Sequence, residues 1–222
     1  DTVTAINPLL EPIRSTTMEV GTKHAVAVRT GLVRALAYDV ALYTTSVTNE
    51  IVPYRGGRFS FTAGKVRRSG VEIGLTAHLA GDLTLQSAVA WSRNRYRAYL
   101  VDSVHYGVPG ALADYAGNRV VGVPDAVYAV SVTHAPPFAR PVSVRLAVQG
   151  MSRFYADDAN TVAVPGWAVA NLTLGLDRPV AVGAGVAVRG FVTLDNLFDT
   201  RYLASAFLNP DVVAGAPVAF EP

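Results

Sequence analysis

The sequence predicts an all-β fold: an antiparallel, up-and-down sheet of about eight long strands forming a segment of a transmembrane β-barrel. Three observations predict it. Apolar residues alternate with small or polar ones at period two along most of the 222-residue chain, the pattern of a strand rather than of a helix. The connections between these runs alternate in length, as in outer-membrane barrels with short turns at one end and long loops at the other. The chain is also apolar without holding an apolar helix. Half its residues are hydrophobic and 16% are charged, against about 25% in soluble domains. Its longest uncharged run, Ala159 to Leu176, is broken by Asn160, Pro165, Gly166 and Asn171, whereas a membrane helix needs about 20 mostly apolar residues.

Eight runs read as strands: 15–28, 31–52, 59–80, 82–100, 119–134, 141–156, 163–178 and 181–203. In the second, Leu36, Tyr38, Val40 and Leu42 oppose Ala35, Ala37, Asp39 and Ala41. The third sets Val71, Ile73, Leu75, Ala77 and Leu79 against Glu72, Gly74, Thr76 and His78, and the fourth sets Leu83, Leu85, Val89 and Trp91 against Thr84, Gln86, Ala88 and Ala90. The fifth carries Tyr128 on its apolar parity. The sixth opposes Val142, Val144, Leu146 and Val148 to Ser143, Arg145 and Ala147. The seventh carries Trp167 on the opposite parity unless a bulge intervenes. In the eighth, Val186, Val188, Val192 and Leu194 oppose Arg189, Thr193 and Asp195. Short turns are expected at Arg29-Thr30-Gly31, Gly81-Asp82, Pro136 to Arg140 and Arg178-Pro179. Longer links are expected at Pro53 to Arg58, Val101 to Asn118, Asp157 to Val162 and from Ala204 onward. Many of these strands exceed the about 9–11 residues that cross a bilayer. A soluble sandwich, with strands of about 5–6 residues, fits less well, and no fixed period supports a repeat protein.

Several function classes are disfavoured by composition. Nineteen basic and 17 acidic residues leave the chain near neutral, without the clustered charge of a nucleic-acid binder. Absence of cysteine excludes intrachain disulfides and thiolate chemistry. His24, His78, His105 and His134 are scattered, no catalytic constellation is evident, and no cofactor is expected. Asp157-Asp158 reads as a solvated loop tip in preference to a cation site. Gly183-Ala184-Gly185 reads as a hairpin exit, because Val188 stands where a dinucleotide fingerprint needs its third glycine. Asp1-Thr2-Val3-Thr4 has neither the basic start nor the apolar core of a signal peptide, as expected of a mature protein or a piece of a longer one.

Asn196-Leu197-Phe198-Asp199-Thr200-Arg201-Tyr202 resembles the Asn-Leu-Phe-Asp…Tyr signature near the end of TonB-dependent outer-membrane receptors. Asn7-Pro8-Leu9-Leu10-Glu11-Pro12 followed by Glu19-Val20-Gly21 is similar to that family's Asn-Pro-x-Leu-x-Pro-Glu…Glu-x-Gly run, with Glu and Pro in swapped order. Val47-Thr48-Asn49-Glu50-Ile51 is similar to a strand end before an extracellular loop. Gly64, Lys65, Arg67, Gly70 and Glu72 match an Ala-Gly-Lys-x-Arg-x-x-Gly-x-Glu pattern, with Thr62 where an Asn usually stands. The resemblance implies a barrel of about 22 strands enclosing a plug, and energy-coupled uptake of a scarce ligand, commonly a ferric siderophore. It implies a Gram-negative outer-membrane location, TonB as a partner through an N-terminal segment, and contact with lipid and lipopolysaccharide. Residues 1–222 then read as a partial barrel domain lacking the plug and the last strand. The runner-up is a small passive eight-stranded pore, since an even strand count permits closure.

Candidate ligand-binding residues are Arg93, Arg95, Tyr96 and Tyr99, with Arg97 in the same run, because cationic and aromatic groups suit catecholate or carboxylate chelates. Lys65, Arg67 and Arg68 form a basic cluster at a strand's outer end. They read as an interface-anchoring rim in preference to a site for anionic chelates or lipopolysaccharide phosphates. Glu72, Arg145, Arg189 and Asp195 fall on the lumen parity, where a charge avoids the roughly 2–4 kcal/mol cost of facing lipid near the midplane.

Overall fold

The computed structural model describes residues 11–28, 31–54, 59–102 and 112–208, with residues 212–213, 216–217 and 220–221. Asn7 to Leu10, His105 and most of the Pro53 to Arg58 link lie outside them. The main sheet contains β1 (Arg14–Ala27), β2 (Val33–Tyr54), β3 (Phe59–Leu79) and β4 (Leu83–Ala98). A short pair follows, β5 (Leu100–Asp102) with β6 (Leu112–Asp114), before β7 (Ala126–His134) and β8 (Val142–Met151) continue the sheet. A second short pair, β9 (Phe154–Tyr155) with β10 (Ala163–Val164), precedes β11 (Trp167–Leu176). A third, β12 (Val180–Gly183) with β13 (Val186–Val188), precedes β14 (Phe191–Leu194). The eight strands of the sheet pair antiparallel in the order β1-β2-β3-β4-β7-β8-β11-β14, each beside the next in sequence. This is the up-and-down topology that the alternating pattern predicts. Among the described residues β1 and β14 do not pair with each other, so the sheet is open.

Register carries the apolar alternation from strand to strand. Leu42, Val71 and Trp91 form one row, Val40, Ile73, Val89 and Tyr128 the next, then Tyr38, Leu75, Ser87, Val130 and Val148. Leu36, Ala77, Leu85, Val132, Leu146, Leu172 and Leu194 form the one below. This is the outer, apolar face. The other parity puts Asp39 beside Gly74 and Ala88, Ala41 beside Glu72 and Ala90, and Thr133 beside Arg145 and Thr173. A one-residue slip would exchange the two faces of a strand, so rows this consistent fix which side each residue takes. Trp167 pairs with Met151 in an unbroken β8–β11 register, which leaves it on the inner parity, as its position in the alternation suggests.

One end of the sheet is closed by compact turns. Gly81 and Asp82 adopt φ of 79° and 55°, the left-handed conformation open to glycine and tolerated by Asp. Arg140 reaches across from the next turn to Asp82 Oδ2 at 2.6 Å, and Ala135 N–H donates to the Asp82 carbonyl at 3.1 Å. A one-turn 3-10 helix, Pro137–Ala139, occupies that second turn.

Four expected strands are shorter than the sequence suggests. The fifth begins at Ala126 rather than at residue 119, because residues 119–125 keep only scattered bonds to β4, at Asn94 and Ser92, and bond also to the link between β8 and β11 (below). The sixth leaves the sheet at Met151 rather than at residue 156 and the seventh joins it at Trp167 rather than at residue 163, because residues 154–155 and 163–164 pair with each other instead. The eighth is not continuous: Arg178-Pro179 leads into the β12–β13 hairpin, whose tip is Ala184-Gly185, and the sheet resumes only from Phe191 to Leu194. Gly183-Ala184-Gly185 is therefore the hairpin tip itself. Arg189 lies between β13 and β14, where its guanidinium donates to the Asp177 carbonyl, so the inward parity expected of it does not apply.

Candidate functional site

The tightest packing lies not in the middle of the sheet but at its long-loop end. Val47 of β2, Val66 of β3 and Tyr96 of β4 are inner-face residues near the ends of their strands, and with Tyr99 and Val120 they form a buried cluster flanked by Tyr115 and Val123. Tyr99 joins Tyr96 because β4 carries a bulge. Lys65 pairs with Ala98 but Val66 pairs with Tyr96, leaving Arg97 as the extra residue. An extra residue shifts the alternation by one, which brings the two rings to the same side, 4.6 Å between centroids. Their exposures are 2% and 1%.

The link between β8 and β11 closes onto this cluster. Asp158 accepts Tyr96 Oη–H at 2.8 Å and Tyr99 Oη–H at 3.0 Å, one on each carboxylate oxygen. Its backbone carbonyl accepts from Asn118 Nδ2 at 2.8 Å. Asn160, at φ 58°, accepts Arg119 N–H on Oδ1 at 2.7 Å and donates Nδ2 to the Arg119 carbonyl at 3.0 Å, pairing with a backbone as a strand residue would. Asp157 closes the tip, accepting from Thr161 N–H and Oγ1–H and from Val162 N–H at 2.7–3.0 Å. Arg119 pairs with Asp125 at 2.9 Å and lies 5.8 Å from the centroid of the Tyr155 ring. Phe154, Ala156, Val164 and Ala206 form a second buried cluster, with Met151 and Val162 packed against it. Burial holds the Asp158 carboxyl above its ordinary range, with the Tyr96 and Tyr99 donors opposing that shift and the neighbouring Asp157 charge adding to it.

The expectation of a solvated tip at Asp157-Asp158 is corrected: the two residues are 7% and 9% exposed, with the Asp157 carboxylate bonded within its own loop and the Asp158 carboxylate bonded to Tyr96 and Tyr99. Sequence reading missed this because a loop Asp is normally polar filler, and only the pairing of an inner-face Tyr with a distant loop reveals its partner. Among the described residues, no group of three or more His, Asp or Glu could hold a metal ion.

The structure separates the four candidate ligand residues. Tyr96 and Tyr99 are inside the loop cluster. Arg95 Nη1 donates to the Gly117 carbonyl at 2.8 Å, holding a turn against β4. Arg93 is exposed on the outer face, in the row of Ser69. They do not converge on one open surface. The basic cluster also divides: Lys65 and Arg67 are exposed on the outer parity, while Arg68 is on the inner parity and pairs with Glu50. Glu72 and Arg145 take inner positions, Arg145 donating to Ser131 Oγ at 3.2 Å.

Comparison with known proteins decides the family. The family profile described as TonB dependent receptor-like, beta-barrel, matches residues 1–197. The chain belongs to the TonB-dependent receptor β-barrel family. It is 24% identical to the ferrioxamine receptor of Yersinia enterocolitica over 201 residues, 90% of this chain and 25% of that protein. The siderophore receptor PiuA of Acinetobacter baumannii superposes with a TM-score of 0.65 at 20% identity, over 93% of this chain and 27% of its own. The ferric yersiniabactin uptake receptor FyuA of Yersinia pestis gives 0.62 at 22% identity, over 89% and 27%. The chain thus spans about a quarter of the length of these relatives.

The motifs that resemble the TonB-dependent receptors have local physical causes. Asn196 and Asp199 sit at φ 50° and 49°, a conformation that Asn and Asp accept more readily than most residues. Asn196 Oδ1 accepts Thr200 N–H at 2.8 Å and its Nδ2 donates to the Thr200 carbonyl at 3.0 Å, closing the turn. Asn171 Oδ1 accepts Asn196 N–H at 2.8 Å and the Ala170 carbonyl accepts Leu197 N–H at 2.7 Å, tying the turn to β11. Tyr202 then stacks on Trp167, 4.4 Å between centroids. In the other motif, a Cβ at Gly70 would stand 2.9 Å from Tyr43 Oη, and one at Gly64 would collide with the Ala98 carbonyl beside the β4 bulge.

Proposed function

We propose that this chain forms part of the wall and surface loops of an outer-membrane receptor that takes up a ferric siderophore or another iron chelate with energy supplied through TonB. The observation that carries the proposal is the match of one receptor-barrel profile to residues 1–197 together with a sheet whose long loops gather at one end. Two of the relatives, receptors for ferrioxamine and ferric yersiniabactin, support an iron chelate as the ligand class. In this reading the chain lies in the outer membrane of a Gram-negative bacterium, its outer face meets lipid, and its inner face meets the receptor's plug. Small inner residues at Gly74, Ala88, Ala90 and Ala129 leave room beside the Asp39 and Glu72 carboxylates for such a domain. Residues 1–222 are then one partial barrel domain.

Tyr96, Tyr99 and Arg95 act here as positioning residues for the loops that meet the ligand. The passive eight-stranded pore is disfavoured by the open sheet.

Uptake of labelled ferric chelates by cells producing the full-length protein tests the proposal. TonB-dependent uptake of at least one chelate is expected. Passage of small solutes that is indifferent to TonB would favour the pore instead.

A further inference from the structure

Three connections at the long-loop end are fastened to one another. The first, residues 112–125, doubles back along β4: Tyr115 N–H donates to the Tyr99 carbonyl and Gly117 N–H to the Tyr96 carbonyl, each at 2.8 Å, and Val120 N–H to the Asn94 carbonyl at 3.2 Å. The second, residues 152–164, holds the first at three separate points. Asp158 bonds Tyr96, Tyr99 and Asn118. Asn160 bonds both backbone groups of Arg119. The Tyr155 carbonyl accepts Gly122 N–H at 2.8 Å. The third leaves the Asn196 turn, which is tied to β11, passes Tyr202 on Trp167, and reaches Ala206, 7% exposed in the cluster with Phe154, Ala156 and Val164.

Such a body has little to change when something docks on it. Releasing the second connection alone would strand the two tyrosine hydroxyls, the Asn118 amide and the Arg119 backbone together, and buried polar groups left without partners are costly. A joint swing would draw Tyr96 and Tyr99 out of a cluster that also holds Val47 of β2 and Val66 of β3, so it would pull at the ends of three strands. The surface is equally settled. Apart from Asp114 and Arg153, the described residues that the first two connections expose are alanines, glycines and one threonine, with little rotamer freedom to lose on contact.

We propose that residues 112–125 and 152–164, with Ala206 packed against the second, form a fixed jaw of the chelate site. They meet the ligand in the shape they already hold, and any closure over it is left to other parts of the receptor. The inference rests on the receptor reading above and adds how this side of the mouth behaves. A preformed face keeps the cost of ordering loops out of binding. The same loops ordered only a tenth of the time would bind about tenfold more weakly. Asp158 is then a positioning residue: it sets affinity through the shape of the jaw and does not touch the ligand.

Hydrogen exchange of the full-length receptor in detergent tests this, free and with bound chelate, beside titrations with a panel of ferric hydroxamates, catecholates and carboxylates. In the wild type, protection of residues 112–125 and 152–164 is the same in both states. In Asp158→Ala these residues lose protection in the free receptor and regain it with chelate, and Kd rises about tenfold. Asp158→Asn, which keeps one acceptor for the tyrosine hydroxyls, recovers most of the affinity. Unchanged protection of β7 and β8 in both variants separates loss of the jaw from misfolding. Chelate-induced protection of these residues in the wild type overturns the proposal. So does wild-type affinity in an Asp158→Ala receptor whose loops have lost protection. Failure of the wild type to bind any chelate of the panel removes the receptor reading and this inference with it, whereas binding that reshapes the two loops removes this inference alone.

Discussion

At the scale of single residues, Asp158 decides whether the surface loops hold together. It takes both tyrosine hydroxyls, and Asp158→Ala strands two buried donors at about 1–3 kcal/mol each. Amides in residues 112–125 and 152–164 should then lose hydrogen-exchange protection, while those in β7 and β8 keep theirs; unchanged loop protection would refute the latch. Burial raises the Asp158 carboxyl, so the latched form binds its proton more tightly than the open one. The ionised carboxylate therefore weakens the latch above its folded pKa, and the penalty is relieved as pH falls through that value toward the ordinary Asp range. Loop protection should hold or rise between neutral and mildly acidic pH, once corrected for intrinsic exchange; a fall would contradict this sign. Asn196 is the other decisive residue. Asn196→Ala loses two turn-closing hydrogen bonds and places Ala at positive φ, where a Cβ costs roughly 1–2 kcal/mol. Asn196→Gly, lacking the Cβ, should be the milder change in a melting comparison.

At the scale of the strand, the two faces of β3 answer differently to substitution. Leu75→Arg puts a cation in the middle of the outer belt, at roughly 2–4 kcal/mol, and should reduce assembly of full-length protein in the membrane. Thr76→Leu, one residue on and facing inward, should assemble as wild type; equal assembly of the two variants would break the facing assignment. These faces were legible in the sequence because period two is a local property, and the rows from Leu36 to Leu194 keep it across the sheet. Connections were less so. Residues 119–125 alternate too little to betray that they bond to Asn160 and Tyr155, which are distant in sequence. The β12–β13 hairpin was hidden because Val180 to Leu194 alternates as one strand would, and only the turn at Ala184-Gly185 divides it. The β4 bulge at Arg97 has no sequence mark, although it is what turns Tyr99 to the same side as Tyr96. Asp158 was unreadable for the same reason: its partners are assembled by that bulge.

At the scale of the molecule, the described sheet has two unpaired edges, β1 and β14. Hydrocarbon offers no hydrogen bonds to such edges, and exposed edges seek other strands. The eight-stranded segment produced alone should therefore form mixed oligomers in detergent, while the full-length protein gives one species; a monodisperse, membrane-inserted segment would count against the wall reading. The packed core has its own consequence for the whole receptor. A barrel wall has lipid on one side and a lumen on the other, so its buried side chains collect where the loops meet, above the bilayer. Once Asp158 has gathered the two tyrosine hydroxyls and Asn160 has zipped to Arg119, that end is a folded knot of charges and amides too costly to draw back through hydrocarbon. The latch thus acts as a barb: strands that have crossed the membrane stay across, and assembly runs in one direction.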